Sequence, residues 1–231
     1  MNNKVELTPA FLIHRRVYQE SSMLLDFFTH DYGMLRLIAR GAKKSKTKIQ
    51  MFSRLNISFS GRSELKTLTN WEIDDKPRKI SGDNIIFAIY VNELLTRLCQ
   101  PFQAYPKLFD SYYLLLKNLA SSDTNKIWAL RIFESNLLKI LGYGLNYKID
   151  IDDNKIKANL SYDYIAQRGF IENQQGKIPG HLLGLLKENN ISNYPNNVEL
   201  KNIRNLFRMI LKTLLGDRPL KSRELFLDLK K

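Results

Sequence analysis

A chain of 231 residues with 44% apolar and 11% aromatic content can bury a sizeable core, which excludes global disorder. Lys and Arg (36) outnumber Asp and Glu (23), a formal charge of +13 that favours a polyanionic partner: nucleic acid first, then an anionic membrane or an acidic protein tail. The excess lies at the two ends: +7 over residues 1–80, +1 over 81–150 and +5 over 151–231.

The N-terminal third reads as short strands at about 9–17, 22–30, 33–40, 54–60 and 64–73. Alternation is cleanest in Leu55–Ser60, with Leu55, Ile57 and Phe59 on the buried face, and the turn Gly61-Arg62-Ser63 leads into the next strand as a hairpin. Five strands in this length suggest a small barrel, an OB-fold or an SH3-like one. On 33–40, Leu35, Leu37 and Ala39 point one way, while Arg36 and Arg40 share the other side with Met34 and Ile38. Gly41 ends the strand, and Lys43, Lys44, Lys46 and Lys48 follow in a run too charged to pack inside. The stretch 36–48 thus carries six positive charges and no acid. Together with Arg15, Arg16 and Arg54, these cations form the expected DNA-contacting set, and Tyr18, Tyr32 and Phe52 are nearby aromatics that either stack on bases or belong to the core.

Around residues 74–82 the composition turns polar and the hydrophobic period changes from two to about 3.6. The boundary between two domains, 1–80 and 81–231, is placed here. Helices are predicted at 83–99, with Ile85, Ile86, Ile89, Tyr90 and Leu94 on one face, then at 106–120 and 124–141, where Gly142 suits a C-terminal cap. Residues 143–180 are less regular, and Tyr162–Tyr164 with Gly169–Ile171 suggest a minor hairpin. A closing helix near 198–215 buries Leu200, Ile203, Phe207, Ile210 and Leu214. On an adjoining face it lines up Lys201, Arg204, Arg208 and Lys212, a second basic surface that is either a binding face or an ordinary solvated one.

Chemistry for bond breaking is not found. The three histidines (His14, His30, His181) and the single Cys99, a small core residue, are too scattered for a metal site, and no cofactor motif is present. Gly41-Ala42-Lys43-Lys44-Ser45 lacks the spacing of a phosphate-gripping loop, and Asp74-Asp75 and Asp152-Asp153 read as solvated turns. With no disulfide framework, signal peptide or long apolar run, a cytosolic chain is expected, without a membrane role.

Four ordered blocks then carry a resemblance. Phe11-Leu12-Ile13-His14-Arg15-Arg16, Glu20 to Thr29, Gly33 and Leu35 to Ala42 resemble the N-terminal domain of the RecO family of bacterial recombination mediators. Tyr90 to Arg97, Leu141 to Asn146 and Pro219 to Phe226 look like the family's helical signatures, in the right order and at the right distances. The resemblance implies an α+β chain of two domains: a five-stranded OB-fold barrel, then an all-α domain with a small irregular or hairpin insertion. It also implies binding to single- and double-stranded DNA, annealing of complementary strands, and loading of recombinase, with RecR, onto DNA coated by single-stranded-DNA-binding protein. Nucleoid association follows from these partners. The acidic C-terminal tail of the coating protein would seek an apolar pocket rimmed by cations, for which Arg97, Arg131 and Lys139 are candidates. Many members carry a four-cysteine zinc site after the Leu-Gly-Tyr block, but residues 146–180 have no cysteine, so the chain looks like the zinc-free, enterobacterial type. A competing class is an RNA- or ribosome-associated OB protein using the same basic face.

Overall fold

The computed structural model describes residues 4–44, 49–75 and 79–228. Two compact units result, Met1–Ala120 with Leu220–Lys231, and Ser121–Pro219.

In the first unit, β1 (Lys4–Tyr18), β2 (Ser22–Thr29), β3 (Gly33–Ala39), β4 (Arg54–Ser60) and β5 (Lys66–Ile73) close into a barrel of order β1-β2-β3-β5-β4. Neighbours are antiparallel except β3 and β5, which pair in parallel through Leu37 with Lys66 and Ile38 with Thr67. This is the OB-fold, whose closure leaves no free sheet edge. The expected alternation holds: Leu35, Leu37, Leu55, Ile57 and Phe59 are buried in the barrel core with Leu12, Leu25 and Phe27. Each such side chain contributes about 1.5–3 kcal/mol by leaving water.

A second apolar layer covers the outside of β1 and β2. Phe11 lies 4.9 Å from Phe109 and 5.0 Å from Tyr112, and Phe28 lies 5.6 Å from Phe109, all on ring centroids. Phe109 and Tyr112 belong to α2 (Pro106–Ala120), which follows α1 (Asn84–Leu98). Burial on α1 runs through Ala88, Tyr90, Val91, Asn92, Leu94 and Leu95, whereas Ile85, expected on that face, is 36% exposed in the first turn. Cys99 is buried at the end of α1, and burial pushes its thiol up to about 12.

The second unit begins with α3 (Lys126–Ile140), capped by the Asn125 side chain accepting from the Trp128 N–H at 3.0 Å. The expected hairpin is present as β6 (Ser161–Ile165) and β7 (Gly169–Glu172), joined by β8 (Ile178–Pro179) in a sheet of order β7-β6-β8. A short helix that periodicity had not indicated, α4 (Gly180–Glu188), follows directly. The long α5 (Asn197–Leu215) opens with a reciprocal cap between Asn196 and Glu199 and packs against α3. Its buried side is Leu200, Ile203, Leu206, Phe207, Ile210 and Leu211; Leu214, expected in that stripe, is only half-buried. The chain then returns to the first unit as α6 (Ser222–Asp228). No helix among the described residues is long and apolar enough to cross a membrane.

Candidate nucleic-acid interface

Strand pairing decides which barrel cations are free. A bulge between Leu12 and His14 shifts β1 against β2, so that His14 faces Asp26, Arg15 faces Leu25 and Arg16 faces Leu24. Arg15 therefore shares its side with the core residue Leu25, and Arg16 takes the opposite side. On β3, Arg36 stands directly across from Asp26. Its Nε and Nη2 donate to the two Asp26 oxygens at 2.5 and 3.2 Å, and His14 Nδ1 lies 3.8 Å from Oδ2. The bond to Asp26 raises the Arg36 pKa against its desolvation, so this charge is already neutralised within the sheet. Arg54 is held likewise: Nε is 2.7 Å from Asp74 Oδ2, and the guanidinium carbon sits 5.1 Å from the Tyr113 ring centroid.

The side chains of Arg15, Arg16, Arg40, Lys43 and Lys44 are exposed and make no ion pair or hydrogen bond among the described residues. Lys43 and Lys44 sit on a turn set by Gly41, whose φ of +70° favours glycine. Lys44 N–H donates to the Gly41 carbonyl at 3.1 Å, and Lys43 N–H to the Ser21 carbonyl at 3.2 Å. The turn after β3 is thereby tied to the turn between β1 and β2, which gives Ser21 a positioning role through its backbone. Lys46 and Lys48 lie outside the described residues.

Between these loops a groove of about 570 Å³ opens at one end of the barrel. Leu12, Leu25 and Leu68 form its apolar floor, Trp71 and Asn70 its wall, and Arg15, Arg40 and Lys43 its cationic margin. Such a combination suits an unpaired strand: phosphates meet charge while a base finds an apolar recess and an aromatic face. Trp71 was not among the expected aromatics, although it lies across from Ile57 in the β4–β5 hairpin and so continues that strand's inward side. Tyr32 is committed elsewhere, edge-on to Phe59 with centroids 5.5 Å apart.

The three cations expected at a peptide pocket differ in burial and in pairing. Arg97 is in the first unit, where Nη1 is 4.0 Å from Glu93 Oε1, and exposed Lys139 is in the second. Arg131 cannot rim a surface: it is 6% exposed, its Nη1 2.8 Å from the fully buried Glu134. Arg131 is thus buried on α3, with Glu134 one turn on as its ion-pair partner. Lys201, Arg204, Arg208 and Lys212 are all exposed on α5.

A family model described as Recombination protein O N terminal matches residues 1–76, and one described as Recombination protein O C terminal matches residues 81–224. Similar curated proteins include the DNA repair protein RecO of Coxiella burnetii (strain CbuG_Q212), 36% identical with 97% of this chain and 99% of that protein covered. Those of Psychromonas ingrahamii, 36% identical with 96% and 98% covered, and Proteus mirabilis, 38% identical with 94% and 90% covered, are alike in name. The chain belongs to the RecO family, whose work is DNA repair and recombination.

Proposed function

We propose that the chain is a recombination mediator that binds single- and double-stranded DNA on residues 1–80, anneals complementary strands, and with RecR helps load recombinase onto DNA coated by single-stranded-DNA-binding protein. The observation that carries the DNA-binding part is the groove on an OB barrel whose margin bears Arg15, Arg40 and Lys43, three cations with no ion pair or hydrogen bond among the described residues. Strands that repel each other need their charge neutralised without sequence preference, after which base pairing does the selecting. Such annealing consumes no nucleotide. RecR, the acidic tail of the coating protein and a nucleoid location are partners and a place inferred from family membership.

The test is annealing of complementary DNA oligonucleotides, naked and then coated with the cognate single-stranded-DNA-binding protein, across a salt series. Acceleration of both reactions, fading steeply with salt, is expected. No acceleration of the coated reaction at any salt refutes the mediator reading and favours an RNA-directed one.

A further inference from the structure

The second unit has a charged face of its own. Lys201, Arg204, Arg208 and Lys212 follow one another at intervals of three, four and four residues, which puts them in a row of about 16 Å along α5. No acidic residue occurs between Glu199 and Asp217, and none of the four side chains has an ion pair or hydrogen bond among the described residues. Arg97 beside Glu93 and Arg131 beside Glu134 show the contrasting, compensated arrangement on α1 and α3. Four like charges on neighbouring turns repel one another, a cost to the helix that a polyanion removes on binding.

Immediately beside this row on the helix, Met209 and Thr213 form one wall of a groove of about 430 Å³. Tyr143, Tyr164 and Arg168 line the rest. Tyr143 is 56% exposed and has no ring contact among the described residues, while its backbone N–H is fixed to the Leu138 carbonyl at 2.8 Å. Tyr164 is braced against Phe170, centroids 5.5 Å apart. Arg168 is exposed at the tip of the β6–β7 hairpin.

We infer that this face is a second track for single-stranded nucleic acid, with Lys201, Arg204, Arg208 and Lys212 along the phosphates and Tyr143 offering its ring to a base. An extended row of single charges matches the even spacing of phosphates, and the aromatic groove beside it supplies what a duplex has no use for, a surface for unstacked bases. The inference rests on the nucleic-acid reading above and adds to it a place for another strand, or another stretch of the same one.

Binding of a fluorescein-labelled oligo(dT) to the full chain, followed by anisotropy across a salt series, tests it. Changing all four cations to Ala lowers the log-log salt slope by about 2.8, and changing Lys201/Arg204 or Arg208/Lys212 alone lowers it by about 1.4. Alanine is the best helix former, the positions are exposed and the mutual repulsion is removed, so the melting temperature should stay the same or rise. Tyr143→Ala weakens single-strand binding roughly ten-fold at unchanged slope and leaves binding of a duplex oligonucleotide as it was. Unchanged slopes and affinity in all these variants, while a variant lacking Arg15, Arg40 and Lys43 binds less well, overturn the second track alone. A four-cation variant that keeps the DNA slope but loses binding of an acidic peptide with an apolar end overturns it in favour of a peptide site. A wild-type chain that does not bind the oligonucleotide removes the nucleic-acid reading as well.

Discussion

Glu93 Oε2 accepts from both the backbone N–H and the hydroxyl of Ser222, at 2.9 and 2.6 Å, and Oε1 accepts from the Lys221 N–H at 2.9 Å. A carboxylate on α1 thus supplies the cap that the first turn of α6 lacks, across 129 residues of sequence. Burial alone would raise the Glu93 pKa, but the Ser222 and Lys221 hydrogen bonds, with Arg97 nearby, outweigh it and hold the group below its ordinary value of 4.5. A carboxyl depressed on folding stabilises fully above its unfolded pKa and loses that contribution as pH falls through the folded one. Acid melting of the wild type should therefore be steeper below about pH 4.5 than that of Glu93→Gln, and at neutral pH the substitution should cost about 1–3 kcal/mol. Equal pH dependence of Tm in the two proteins would show that the cap does not depend on charge.

That contact joins two of the blocks by which the family was recognisable, Tyr90 to Arg97 and Pro219 to Phe226. Strand alternation, the 3.6-residue period and the Gly-bounded hairpin were local signals, so β2 to β5, α1, α2, α3 and α5 were legible nearly to their ends, whereas β1 begins at Lys4, well before the expected start near residue 9. The state of each cation was not. Arg36 and Arg40 look alike on the strand pattern, and only the β2–β3 register, which brings Asp26 opposite Arg36, separates a neutralised arginine from a free one. Arg131 needed the packing of α3 to reveal that its face is interior, and α4, nine residues long, was too short for its periodicity to stand out.

Asn92 offers a second test of packing. Its Nδ2 donates to the Ile13 carbonyl at 3.0 Å, within the β1 bulge, and its Oδ1 accepts from the Tyr112 hydroxyl at 2.6 Å. All three groups are buried, so one amide satisfies a carbonyl freed by the bulge and a phenol that burial keeps protonated. Asn92→Leu should destabilise by about 2–4 kcal/mol in urea, since two buried groups lose partners. Tyr112→Phe should cost about 1 kcal/mol, and a double-mutant cycle should show the two effects to be non-additive.

Gly33 begins β3 with φ +66°, and a Cβ there would stand 1.9 Å from the Gln103 carbonyl oxygen. The same approach is fixed by the Phe102 N–H donating to the Met34 carbonyl at 3.2 Å. Gly33→Ala must therefore both adopt a left-handed backbone and push residues 101–103 off the barrel. A loss of roughly 2–5 kcal/mol is expected, read as a lower urea midpoint. Gly41→Ala, with the same sign of φ and open space around it, should lose only about 1 kcal/mol.

Division of labour among the barrel cations gives the sharpest functional prediction. Arg36 and Arg54 are already bound to Asp26 and Asp74, so replacing either with Ala releases a carboxylate and adds a negative charge that had been masked. Stability should fall by about 1 kcal/mol or less for the exposed Arg36 pair. The salt slope of DNA binding should scarcely change, because a side chain already paired with a carboxylate does not neutralise a phosphate and release its counterion. Arg15, Arg40, Lys43 and Lys44 are uncompensated, and their joint replacement by Ala should lower the single-strand slope by about 2.8 while leaving the melting temperature intact. Anisotropy titrations of both variants between low and moderate salt make the comparison. If Arg36→Ala lowered the slope by as much as a member of the free set, the ion pair with Asp26 would have to open on DNA, and the barrel face would extend along β3 rather than end at the groove.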